Sequence, residues 1–321
     1  MQALLWAGRR VLTGLVTLFG IAVLVFMAAR IVPGQTADVL LGPLATPEQR
    51  ETLTEEMGLN EGLLTQFSIW IGNVLQGDFG DSIVSRQPVL EELALRLPVT
   101  ATIALLALLM ALLVGIPVGT VQALRASRKG GAVASRIVSG LGISVPDFVL
   151  GALVVLAFST LPLGITIGNF TSVTDTFWRG VASSLLPAAV LAVFCAAATA
   201  RTTRDAVLGV LVEPYIQAAV ARGERPATIV RRHVLRNSSI PILTLTATLL
   251  AYLLGGAVII EGLFNVPGIG SYFILAMDRR DYAVIQAGVM LAAVVFVLMS
   301  LLVELSSSLI DPRVSTIGKA S

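Results

Sequence analysis

The chain has 321 residues, 55% of them hydrophobic and only 13% charged, with a mean hydropathy of +0.87. A soluble domain carries roughly a quarter charged residues, so this composition excludes a disordered chain, a collagen-like repeat and a disulfide scaffold, and argues against a water-soluble enzyme. The formal net charge of +2 gives no basis for a nucleic-acid partner. What remains is an all-α polytopic membrane protein, since helices satisfy their own backbone hydrogen bonds in lipid.

In chain order, Arg9 and Arg10 precede a first uncharged run, Val11–Ala29. It exceeds the roughly 7–15 residues of a leader's apolar region, and Met27-Ala28-Ala29-Arg30 fits a cleavage site badly, so it reads as a retained span. Residues 31–96 hold half of the 20 acidic residues, from Asp38 to Glu92. Within them Thr46-Pro47-Glu48 has the order of a helix start (cap, Pro at the first position, acid in the first turn), and Gly58 can end that helix. A second helical pattern covers 61–76 through Leu63, Leu64, Phe67, Trp70, Ile71 and Val74. Gly77 to Ser82 reads as a turn, and Pro88 opens an amphipathic stretch (Leu90, Leu93, Leu95, Leu97) expected on the membrane surface. The segment is therefore a small helical insertion.

Five more runs follow: Leu97–Leu124, Ile137–Thr174 (interrupted only by Asp147), Gly180–Ala200, Asn237–Ile260 and Tyr282–Val303. With the first run they predict six transmembrane helices; membrane strands would need only about ten residues each. If the N-terminus is cytoplasmic, 15 of the 22 Lys and Arg fall inside and 7 outside, the favoured bias. Both termini are then cytoplasmic. The organisation expected is 1–30 for the N-terminus and first span, 31–96 for the extracytoplasmic insertion, 97–310 for spans two to six with a cytoplasmic loop at 204–237, and 311–321 for a cytoplasmic tail.

That loop carries the sharpest pattern. Pro214 suits the first position of a short helix, Gly223 suits a left-handed C-terminal cap, and Pro226 starts a second short helix. The first helix offers Ala218, Ala219 and Ala221 for close approach to another surface, and the second carries Arg231, Arg232 and Arg236. On residue chemistry alone, a basic loop lying on lipid and a docking surface both fit.

Gln217-Ala218-Ala219-x-x-x-Gly223, then nine residues, then His233-x-Leu235, resembles the EAA loop of ABC importer permeases, of form E-A-A-x3-G-x9-I-x-L-P. The departures at Gln217, His233 and Arg236 themselves resemble the dipeptide/oligopeptide/nickel branch. Gly77-Asp78-Phe79-Gly80-x-Ser82, Glu261-x-x-Phe264-Asn265-x-Pro267-Gly268-x-Gly270, Asp281-Tyr282 and Asp311-Pro312-Arg313 match that branch too, and the large segment before span two suits its B-type subunit. The resemblance implies a type I importer permease of a bacterial plasma membrane. It implies a homologous C-type permease as partner, two cytoplasmic ATPase domains, and an extracytoplasmic substrate-binding protein docking on 31–96 and 261–281. It also makes Glu213, Tyr215, Gln217, Ala218, Ala219, Arg222, Gly223 and His233 the positions that couple to the ATPases. The sequence has no G-x-x-x-x-G-K-[ST] phosphate loop, so ATP and Mg are expected on the partner ATPases, with no cofactor in this chain and no catalytic residue of its own. Dipeptides or oligopeptides are the expected substrates; nickel chelates, glutathione and haem stay open, as do a secondary transporter and a channel.

Ionisable residues inside spans are functional candidates. Asp147, after Pro146, either caps a broken helix or pairs with a partner's Arg, or lines the path and meets a cationic group such as a peptide ammonium. Glu261, at the outer end of span five, is either an interfacial carboxylate held by the backbone N–H groups of 264–270 or an outer gate. Gly115-x-x-x-Gly119 predicts close helix packing, in this subunit or against its partner. Cys195, the one cysteine, reads as a small buried hydrophobe, and a single histidine cannot build a metal cage.

Overall fold

The computed structural model describes residues 2–31, 45–56, 60–126, 140, 142, 144–161 and 168–310. The expected helix end at Gly58, the start of the third predicted span and the tail motif at 311–313 lie outside the described residues. In chain order the elements are α1 (Gln2–Ile31), α2 (Pro47–Glu56), α3 (Leu63–Leu75), α4 (Val89–Arg125), α5 (Asp147–Thr160), α6 (Phe177–Leu211), α7 (Pro214–Ala221), α8 (Pro226–Thr228), a π-helical turn (Ile229–Val234), α9 (Leu235–Asn237), α10 (Ser239–Phe264), α11 (Ile269–Arg279) and α12 (Tyr282–Ile310). Among the described residues the only β pairing is an isolated bridge between Asp81 and Pro88.

Among the described residues, five helical stretches are long and apolar enough to cross a membrane: Gly8–Ile31, Val89–Arg125, Phe177–Leu211, Ser239–Phe264 and Tyr282–Leu302. The predicted third span is described only in part. The chain is non-helical at Val145 and Pro146, and α5 then runs for 14 residues, about 21 Å against a hydrocarbon core of about 30 Å. Pro146 lacks a backbone N–H and takes extended angles (φ −61°, ψ 140°), which sets the break.

The chain divides into two compact units, one of residues 1–98 and 267–298, the other of 99–266 and 299–321. In the first, the α2 start is a reciprocal capping box: Gln49 N–H donates to Thr46 Oγ1 (3.3 Å) and Thr46 N–H to Gln49 Oε1 (3.0 Å). The stretch after Pro88 is not a separate surface helix but the opening turns of α4. Val89 and Leu93 are buried there with Tyr272 and Ala276 of α11 and Val284 and Ala287 of α12, so these turns have a protein surface to cover. Arg96 pairs with Glu92 one turn away (2.7 Å) and stacks over the Tyr272 ring (4.6 Å).

The second unit is built on α4, α5, α6 and α10, whose core includes Ile103, Ala107, Leu191, Cys195, Leu253 and Ile260. Burying each large aliphatic side chain stabilises by about 1.5–3 kcal/mol. Gly115 and Gly119 are where α4 meets α6. A Cβ on Gly115 would sit 2.6 Å from Thr199 Cβ, and one on Gly119 would collide with the Ala200 carbonyl. The small-residue face thus packs inside this chain.

Candidate functional site

The loop after α6 is built on its own hydrogen bonds. Glu213 is extended (φ −69°, ψ 141°) and Pro214 opens α7. At the other end Gly223 has φ +76°. Its N–H donates to the Val220 carbonyl (2.9 Å), and the Glu224 N–H to the Ala219 carbonyl (3.2 Å). This pair of bonds is a Schellman closure, which needs a left-handed residue where Gly223 stands.

Two polar links then join α7 to the helical segment after it. Glu224 accepts from Arg222 Nη2 (2.7 Å) and faces His233 Nε2 (3.1 Å). The Asn237 amide donates to Tyr215 Oη (2.9 Å) and to the His233 carbonyl (2.8 Å). The Arg222 guanidinium first, and His233 second, hold the Glu224 carboxyl below its ordinary value of 4.5. Arg231, Arg232 and His233 all ride on the π-helical turn, a winding often found at functional sites.

Below these links lies a small core. Ile216 and Ala219 are buried with Ala123, Val207, Ile229 and Val234, which fixes α7 to the ends of α4 and α6. The opposite face of α7 is open: Glu213, Tyr215, Gln217, Ala218, Val220, Ala221 and Arg222 are exposed. Of the three alanines expected to meet another surface, Ala219 faces its own chain, while Ala218 and Ala221 stay outside. Glu224 and Asn237 are linking positions in this loop that the spacing did not single out. Their signal, a carboxylate beside the cap and an amide one helical turn after His233, is too common to stand out in one sequence.

The intramembrane acids are held by side chains far along the chain. Asp147 opens α5, where a carboxylate suits the helix dipole, and accepts the Tyr252 hydroxyl (2.5 Å). Tyr252 in turn lies against Phe194 (4.6 Å between centroids). Glu261 is fully buried in the last turns of α10, and Thr100 Oγ1 donates to it at 2.6 Å. Its place on the inner face of α10 explains this, since Ala257, Ile260 and Phe264 are buried beside it. Asn265, at φ +52°, then ends the helix, with the Val266 N–H on the Glu261 carbonyl (2.8 Å).

In the first unit a further acid ties two of the sequence motifs together. Asp281 is fully buried and accepts from Ser82 Oγ (2.7 Å) and the Ile83 N–H (2.8 Å), 199 and 198 residues away. It also sits at the start of α12, where the Val284 N–H lies 3.4 Å from Oδ1. Gly77 (φ +84°) and Gly80 (φ +81°) shape the turn that presents Ser82.

Two apolar hollows mark the second unit. One, of 470 Å³, is lined by small residues of α4 and α6, among them Gly115, Ala192, Ala196 and Ala200, with Gln122 as its polar side chain. The other, of 380 Å³, includes Met110, Asn169, Ser183 and Phe264. Among the described residues, no three His, Cys, Asp or Glu side chains gather into a metal cage.

Comparison with known proteins agrees with this layout. Residues 112–316 match the family of binding-protein-dependent transport system inner membrane components, and residues 3–104 match its N-terminal region. A probable peptide ABC transporter permease protein of Sinorhizobium fredii is 37% identical over 308 residues, covering 95% of this chain and 97% of that protein. A glutathione transport system permease protein of Escherichia coli is 34% identical over 306 residues, with the same 95% and 97% coverage. Among solved structures, a methionine ABC transporter in inward-facing conformations has the same fold over 68% of this chain and 96% of its own, with a TM-score of 0.54 at 18% identity.

Proposed function

As a member of the binding-protein-dependent transport system inner membrane component family, the chain is a non-catalytic permease subunit of an ABC importer, and we propose that it forms half of the translocation path for short peptides. The observation that carries the coupling role is α7. It is a short helix locked at both ends, bolted to α4 and α6 through Ile216 and Ala219, and open on the face of Tyr215, Gln217, Ala218 and Arg222. A rigid knob of this kind transmits displacement, because its buried side cannot slide without opening a packed core. The ATPase domains dock on that face, and their ATP-driven closure moves α4 and α6 through it.

The rest of the assembly follows. A homologous C-type permease packs over the apolar hollow beside α4 and α6, on exposed side chains such as Val114, Val118 and Val193. The termini and α7 face the cytoplasm, on the charge bias of the loops, and the six-span topology of the sequence reading is retained with α5 as part of the third span. A substrate-binding protein docks on the opposite side, on the part of 31–96 that lies outside the membrane and on the surface of 261–281. Asp147 lines the path, with Tyr252 presenting its carboxylate to a peptide ammonium. Glutathione is a second substrate candidate, favoured by the 34% identical Escherichia coli relative.

The test is affinity purification of the chain from its native membrane in mild detergent, with stoichiometric partners identified by mass spectrometry. The reconstituted complex is then assayed for ATP-dependent uptake of labelled dipeptide and of glutathione. Recovery of a second permease and an ATPase, and loss of both ATPase assembly and uptake on deleting 213–236, is the expected result. A chain recovered alone and indifferent to that deletion refutes it.

A further inference from the structure

We propose that α3 lies inside the hydrocarbon of the membrane, in the leaflet at the C-terminal end of α1, and that lipid acyl chains cover its outward face and fill the crevice beside it. The depth comes from its aromatic contacts. The membrane-crossing stretch of α1 is Gly8–Ile31, about 36 Å long against a hydrocarbon core of about 30 Å. Phe67 of α3 packs edge-on against Phe26 (5.3 Å) and Phe19 (6.0 Å), and Trp70 meets Phe26 at 5.7 Å. At 1.5 Å per residue these α1 rings lie about 8 and 18 Å from Ile31, so α3 reaches from near the membrane surface towards its middle.

The chemistry of α3 fits that depth. None of its 13 residues is charged, whereas the neighbouring α2 is rich in Glu. Its exposed side chains include Leu64 (86% exposed) and Ile69 (55%), and Leu75 (80%) borders the crevice beside it. Two of its polar side chains donate locally: Ser68 Oγ to the Thr65 carbonyl (2.8 Å) and Gln66 Nε2 to the Glu61 carbonyl (2.8 Å). No water is required by those donors, and a lipid environment leaves them paired.

The same surface continues onto α1, where Leu12, Leu15, Val16 and Phe19 are exposed. Between α1, α3, α4 and α12 runs a crevice of 550 Å³, walled by side chains such as Leu15, Phe19, Val74, Leu90, Leu93 and Met290. Apolar cavities stay dry, so hydrocarbon is the occupant available at this level.

The experiment places a nitroxide at Leu64→Cys (outward face) or Leu75→Cys (crevice), with Glu48→Cys on α2 as the aqueous reference, each in a Cys195→Ala background. The complete transporter is reconstituted in phospholipid vesicles, and collision with oxygen and with a water-soluble nickel chelate is read by power saturation. At 64 and 75, oxygen collision exceeds nickel collision several-fold, and at 48 the order reverses. Nickel access at 64 comparable to that at 48 overturns the proposal in favour of a water-exposed helix. Protection of 64 and 75 from both reagents overturns it in favour of a protein cover. Because Cys195 is fully buried, the same labels in a background that keeps it give a second reading if the Cys195→Ala chain does not fold.

Discussion

Replacing Gly223 tests whether the α7 closure is the coupling element. Its φ of +76° is left-handed, and a Cβ built there meets nothing within 4 Å. The whole cost of a side chain is therefore backbone conformation, with no clash to relieve. For an L residue this is roughly 1–2 kcal/mol, more for a β-branched one and less for Asn. A loss of that size shifts the balance between closed and frayed α7 by a factor of about 5–30. The order of damage expected is Gly223→Asn, then Gly223→Ala, then Gly223→Val. The assay is peptide transported per ATP hydrolysed in proteoliposomes, beside hydrogen exchange at the 223 and 224 amides that make the closing bonds. Coupling should fall and exchange should rise in parallel, at unchanged expression. A Val variant with wild-type coupling and exchange refutes the reasoning, as does an Asn variant as damaged as Val.

Three further outcomes are expected. Gly119→Ala drives a methyl into the Ala200 carbonyl and should destabilise the chain by about 1–3 kcal/mol. Gly209→Ala, with open space around it, should not, and equal thermal midpoints in detergent for the two variants would contradict the packing described. Asp281→Ala strips the acceptor from the Ser82 hydroxyl and the Ile83 N–H, at about 1–3 kcal/mol for each buried donor left unpaired; Asp281→Asn keeps one acceptor and should cost less, as read by proteolysis of the 77–88 turn. Glu224 has a lowered folded-state pKa, so its contribution to the loop is fully present above the ordinary 4.5 and is lost as pH falls through the lowered value. Amide exchange across 222–234 should rise in that acid range in the wild type and show no such limb in Glu224→Gln.

Local features were legible because they depend on neighbours in sequence. Uncharged runs located the spans that cross, Gly223 announced a left-handed cap between two prolines, and Thr46-Pro47 marked a helix start. Long-range pairings were not legible. Nothing in the residues around Asp281 tells that its carboxylate meets Ser82, nor that Asp147 takes the Tyr252 hydroxyl and Glu261 the Thr100 hydroxyl. Such bonds are set by which helix faces meet, and periodicity defines a face without naming its partner. The stretch after Pro88 shows the same limit: its amphipathic pattern fits a lipid surface and a protein groove alike, and in the fold Val89 and Leu93 meet Tyr272 and Val284 while Leu90, Leu95 and Leu97 stay exposed. Ala219 was grouped with Ala218 and Ala221 by size, whereas the 3.6-residue period turns it inward with Ile216.

The length of α6 has a consequence for how this protein tolerates insertions and deletions. Thr203 is buried at the Gly119 crossing and Val207, one turn on, is buried under α7. Removing one residue between them would rotate everything beyond by about 100° and shift it by about 1.5 Å, turning the apolar underside of α7 to solvent. Adding seven residues would leave the phase within about 20° but carry α7 about 10 Å along the axis of α6, away from Ala123 of α4. Length in this stretch is therefore fixed twice over, by the phase of α6 and by the reach to the end of α4.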